Sequence, residues 1–138
     1  MNLPKHLQDA VEQRAASRCE YCRMHQALQG ATFHVEHVQP RSRAGQTRLE
    51  NLAWACPGCN LRKADRVDAL DADTGLQAEL FNPRTQDWPE HFRWDGHRVV
   101  ALTATGRVTV AALELNHPRR ILIRQAEKLF SLFPPDEA

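Results

Sequence analysis

The chain has 138 residues, 42% of them hydrophobic and 25% charged, and a formal net charge of +1. Those values fit one soluble globular domain of modest core and exclude a collagen-like, low-complexity or disordered chain. The near-zero charge conceals segregation. Residues 39–67 carry Arg41, Arg43, Arg48, Arg62, Lys63 and Arg66 against Glu50 and Asp65, a net +4. Residues 68–95 carry seven acids against Arg84 and Arg93, a net −5, and residues 96–128 return to +4. A basic segment suits a polyanionic partner, although a basic stretch alone is as often a solvated face.

Taken in order, Leu3, Leu7, Ala10, Val11 and Ala15 recur at helical spacing behind Pro4, which predicts an amphipathic helix over 4–17. Cys19-Glu20-Tyr21-Cys22 follows as a tight knuckle. Thr32–Val38 reads as a strand, with Phe33, Val35 and His37 on one face and His34 and Glu36 on the other. The strand must therefore end or bend near Pro40 if Glu36 and His37 are to serve one site. Residues 39–50 form an arginine-rich loop containing Gly45, and Leu52–Cys56 returns antiparallel as a second strand. Pro57-Gly58 is expected to turn, and Asn60 to cap a helix running to about Leu70 with Leu61, Ala64 and Val67 on one face.

Residues 71–91 read as an extended connection. Phe92–Leu102 reads as a hairpin turning at Asp95-Gly96. Two helices follow, the first carrying Val108, Ala111, Ala112 and Leu115, the second opened by Pro118 and carrying Leu122, Ala126, Leu129 and Phe133 on one side. No stretch approaches membrane-spanning length, and the MNLPKHLQDA start lacks an apolar run suited to a signal peptide. A cytosolic protein is expected.

All four cysteines fall in Cys-x-x-Cys pairs: Cys19 with Cys22, and Cys56 with Cys59. In a reducing compartment such pairs argue for tetrahedral zinc before disulfide. The 33 residues between Cys22 and Cys56 are too many for a simple zinc ribbon, which is explained if the two strands and their loop lie between the knuckles.

The ordered set Cys19-x-x-Cys22, Glu36-His37, Asn51-Leu52, Cys56-Pro57-Gly58-Cys59-Asn60 and Lys63 resembles the HNH nuclease family, in its four-cysteine, zinc-stapled subgroup and in an H-N-N variant of the motif. The resemblance covers residues 19–63. It implies an α+β fold with a ββα-metal (His-Me finger) core, here preceded by a helix and followed by a hairpin and two helices. Residues 1–138 are then one endonuclease domain, with 1–70 the core and 71–138 an extension packed on it. It further implies metal-dependent hydrolysis of DNA phosphodiesters. His37 would be the general base that activates water, while Glu36 and Asn60 would offer oxygens to Mg²⁺ or Mn²⁺. Asn51 would hold the loop and orient the base, and Arg41, Arg43, Arg48, Arg62 and Lys63 would touch phosphate. Glu36 stands where the family most often has Asp, and Gly45 stands alone where many members have a Gly pair.

Two other readings are open to the same residues. A zinc-dependent nucleic-acid-binding module without activity uses the cysteines and the basic loop but gives Glu36, His37 and Asn60 no joint task. A zinc nucleobase deaminase pairs His34-Val35-Glu36 with the later cysteines, but its signature places proline before the first cysteine, where Ala55 stands here. Taken singly, Asn51 is a turn residue, Asn60 a helix cap, and the three tryptophans core side chains.

Overall fold

The computed structural model describes residues 3–136. Its centre is an antiparallel pair, β1 (His34–His37) and β2 (Leu52–Ala55), with His34 opposite Ala55 and His37 opposite Leu52. All four β2 residues are buried, as an apolar Leu-Ala-Trp-Ala run requires. The first knuckle docks on β2 through two bonds: the Glu20 amide donates to the Trp54 carbonyl at 2.8 Å, and the Trp54 amide donates to Glu20 Oε2 at 2.8 Å. A preceding helix, α1 (Lys5–Arg14), is shorter than predicted because Ala16 and Ser17 take positive φ.

The helix after β2 differs from the expectation. α2 spans Pro57–Lys63, so it starts three residues before Asn60 and ends well short of Leu70. Its cap is Cys56, whose sulfur accepts from the Cys59 amide at 3.3 Å, and Pro57 at the first helical position gives up an amide that would be unbonded anyway. Ala64, with φ 48° and ψ −125°, breaks the helix. The buried face belongs to Cys59 and Lys63, and Leu61 is 77% exposed.

The chain next forms strands inside the region expected to be extended: β3 (Asp68–Leu70) pairs with β4 (Gln77–Glu79). After the short α3 (Trp88–His91), β5 (Phe92–Asp95) and β6 (Arg98–Ala101) form the predicted hairpin. Asp95 pairs with Arg98, so the two-residue turn is Gly96-His97, one position later than expected, with Gly96 at φ +60°. α4 (Ala104–Ala112) and α5 (Pro118–Leu129) complete the order. The α+β class therefore holds, with three two-stranded sheets among the described residues. Among the described residues no helix is long and apolar enough to cross a membrane.

One core runs from the knuckles to the C-terminal elements, through Val11, Tyr21, Leu52, Trp54, Phe81, Trp88 and Phe92. Trp54 and Trp88 are core side chains, and Trp88 Nε1 donates to the Tyr21 carbonyl at 3.0 Å. Arg84 pairs with Glu20, a second tie between the C-terminal half and the knuckle. The second surprise is α5. On the side that carries Leu122 and Leu129 these residues are 63% and 84% exposed, whereas Arg120, Arg124 and Glu127 are buried.

Candidate metal centre and catalytic site

Cys19, Cys22, Cys56 and Cys59 are all buried and their sulfurs lie within 4.8 Å of one another. Zinc–sulfur bonds of about 2.3 Å in a tetrahedron separate the sulfurs by about 3.8 Å, and Cys22 Sγ to Cys56 Sγ is 3.8 Å. The donor set is soft, four-membered and closed, so it fits a structural zinc ion. Burial pushes the Cys19 and Cys59 thiols well up. At Cys22 burial works the same way but is outweighed by hydrogen bonds from the other cysteines and by the Arg120 charge, and the thiol lies well below its ordinary range. The cluster contains no histidine; His25 instead caps the turn Gln26–Leu28, and His34 is exposed on β1. His34 of the His34-Val35-Glu36 deaminase reading is therefore not part of the cysteine cluster.

Glu36 and His37 are both paired residues of β1, so alternation holds through the pair and they face opposite sides. Glu36 points inward and is 6% exposed. Tyr21 Oη donates to its Oε1, and the Lys63 ammonium stands 3.3 Å from its Oε2. Lys63, 2% exposed, also donates to the Val38 carbonyl at 2.9 Å and reaches the His37 carbonyl at 3.4 Å. One ammonium thus clamps three consecutive residues at the end of β1. Lys63 is consequently not a surface contact for phosphate: a buried ammonium needs these acceptors to offset its desolvation. Burial raises the Glu36 carboxyl above its ordinary value against the opposing pull of Lys63 and Tyr21.

A hard divalent cation would require a carboxylate oxygen at about 2.1 Å. Both Glu36 oxygens are engaged, one of them by a fixed positive charge, so Glu36 as arranged does not fit a cation ligand. Asn60 lies on α2 one turn before Lys63, half-buried, and its side-chain amide has no hydrogen-bond partner among the described residues.

His37 is half-buried on the other face of β1, where its Nε2 lies 2.8 Å from Thr47 Oγ1 of the loop. Burial, then the charges of Arg41 and Lys63, hold the imidazole below its ordinary value. Asn51 ties the loop together: Oδ1 accepts from the Gln39 amide at 2.8 Å, and Nδ2 donates to the Gln39 and Gln46 carbonyls at 3.0 and 2.8 Å. At the loop's tightest point a Cβ on Gly45 would fall 1.7 Å from the Gln39 carbonyl oxygen, which leaves room for glycine alone. Ala44 takes the left-handed conformation, φ 65°. Arg41, Arg43 and Arg48 are exposed on this loop, whereas Arg62 on α2 pairs with Glu114 at 2.6 Å.

Residues 19–66 match the model of a family described as HNH endonuclease. No curated protein and no solved structure matches the chain. The matched segment holds every candidate site residue identified in the sequence. Sequence reasoning missed Tyr21 and Thr47 as partners of Glu36 and His37, and Arg120 as the neighbour of Cys59, because each meets its partner only through the fold. A Lys three residues after Asn60 did signal one helix face, but not that the face is buried.

Proposed function

We propose that the HNH domain hydrolyses phosphodiester bonds of DNA, with His37 as the general base that takes a proton from the attacking water. What carries this reading is the state of His37: half-exposed, positioned by Thr47, and with a depressed pKa that keeps it neutral near pH 7. Asn51 then acts as a positioning residue, because it ties Gln39, two residues after the base, to Gln46, next to Thr47. The exposed Arg41, Arg43 and Arg48 would bind backbone phosphates beside the base. A bound Mg²⁺ or Mn²⁺ supplies stabilisation of the charge developing on the phosphate. On this chain the free amide of Asn60 is the protein ligand we assign to it, and Glu36 is assigned to the clamp with Lys63 and Tyr21. One site cuts one strand per encounter, so nicking is the expected product of a monomer. Choosing DNA as substrate rests on the family, and a cytoplasmic location on the four thiols kept for metal.

The test is conversion of supercoiled plasmid to nicked or linear DNA with added Mg²⁺ or Mn²⁺, beside His37→Ala protein of equal zinc content and fold. Cutting by wild type alone supports the reading. The second reading, a DNA-binding module without activity, is favoured by one observation, the closed Glu36 carboxylate. It takes over if neither protein cuts and both retard DNA.

A further inference from the structure

Helix α5 buries charge and exposes hydrocarbon, the reverse of an ordinary surface helix. Arg120 and Arg124 are 5% and 0% exposed. Burying guanidinium groups is costly unless anions or acceptors face them. What faces Arg120 is the cysteine cluster, and what faces Arg124 is a set of backbone carbonyls that includes that of Cys22. Arg120 Nη1 donates to Cys59 Sγ at 3.0 Å, and Arg124 Nη2 donates to the Cys22 carbonyl at 3.3 Å and the Leu115 carbonyl at 2.8 Å.

The acids that might otherwise balance Arg120 are engaged elsewhere. Glu127 Oε2 accepts from the His25 amide at 2.7 Å and its Oε1 lies 3.9 Å from Arg18, while Glu114 is paired with Arg62. Arg120 Nη2 is buried without an acceptor, and a Cβ on Gly58 would come within 2.9 Å of it, so the second knuckle is shaped to admit this side chain. Four thiolates around one Zn²⁺ carry two net negative charges.

We propose that Arg120, with Arg124 holding the Cys22 carbonyl, is the counter-charge of the zinc–thiolate set, so that zinc retention and docking of α5 are coupled in both directions. Coupling between two events is reciprocal: whatever zinc contributes to seating the helix, the helix contributes to holding zinc. The C-terminal extension then acts as the outer layer of the metal centre.

The test measures zinc release from the full chain to an excess of a chromophoric chelator, for wild type, Arg120→Met, Arg120→Lys and Arg119→Met. Arg119 is the exposed neighbour and serves as the charge-loss control. Outer-layer substitutions typically weaken metal sites by about 10- to 100-fold, so Arg120→Met is expected to release zinc at least about tenfold faster than Arg119→Met, with Arg120→Lys between them. Equal rates for Arg120→Met and Arg119→Met overturn the proposal. Should Arg120→Met fail to fold, Arg120→Lys is compared with Arg119→Met, and equal rates again overturn it. A second measurement needs no substitution: amide hydrogen exchange of α5 against the β5–β6 hairpin, before and after zinc removal. Greater loss of protection in α5 is expected, and an equal change in both refutes a specific link. Neither measurement reads nuclease activity, so its failure is distinct from failure of the functional reading.

Discussion

Replacing Lys63 by Met tests the clamp at the heart of the site. The substitution keeps most of the side-chain volume and removes the ammonium that lies 3.3 Å from Glu36 Oε2 and 2.9 Å from the Val38 carbonyl. Both partners are buried, at 2% and 6% exposure, so solvent screening gives little relief. Removing one member of a buried pair costs about 3–5 kcal/mol, because the other is left charged and uncompensated. With a urea dependence of about 2 kcal/mol/M, the unfolding midpoint of the zinc-loaded protein should fall by about 1.5–2.5 M. The loss should also depend on pH. Glu36 already has a raised pKa from burial, and Lys63 is the first of the influences that lower it. Without Lys63 the carboxyl rises further, so its protonated form is favoured in the fold. The deficit against wild type is therefore largest at neutral pH and shrinks as acidification protonates Glu36. Adding Glu36→Gln should recover at least half of the loss, since the amide still accepts from Tyr21. A deficit under about 1 kcal/mol, independent of pH, would refute the clamp and return Lys63 to the phosphate-binding face.

Gly45→Ala should collapse loop order, because the new Cβ would lie 1.7 Å from a carbonyl oxygen; rapid protease nicking within residues 39–50 is the readout, and wild-type resistance would contradict it. Ala44→Gly should act oppositely, raising stability by up to about 1–2 kcal/mol by relieving the left-handed strain at φ 65°. The pH–rate profile of DNA cleavage should rise with unit slope and level off by pH 7. Because burial lowers the His37 pKa, protonation silences the base only below about 6.5, and an acidic limb centred above 7 would exclude His37 as the base. Metal analysis should find one zinc per chain, lost on acidification as thiolates take up protons; a protein that stays folded and metal-free at neutral pH would rule out the staple.

How much of this was legible in the sequence depends on how local each cause is. The β1–β2 pair, the knuckles and the β5–β6 hairpin are set by near neighbours: alternation, cysteine spacing, and a glycine that can take positive φ at position 96. The position of α2 has an equally local cause. Cys56, a candidate metal ligand, is also the helix cap, so the helix begins at the Pro57-Gly58 turn. β3 and β4 escaped notice because they are three residues each, exposed at their ends, and their turn is fastened by Asp71, whose carboxyl Arg107 holds down at about 2.

The orientation of α5 had no local signature at all. Its sequence has a strong apolar side, and hydrophobic burial by itself argues for placing Leu122 and Leu129 inward. The alternative face wins because its partners are not hydrocarbon. The backbone carbonyls of His97, Leu115 and Cys22 accept from Arg124, and the Cys59 sulfur accepts from Arg120. Trp94 lies 5.1 Å beneath the Arg124 guanidinium and adds a cation–π contact. An amphipathic pattern identifies two faces, and the chemistry of the opposing surface decides which is buried. Here that surface is formed by residues 22, 59, 97 and 115, which come together only after the knuckles and the hairpin are in place. The same logic explains Glu36, a carboxylate whose residue type and position suit a metal ligand but whose partners, Tyr21 and Lys63, make it part of a buried ion pair.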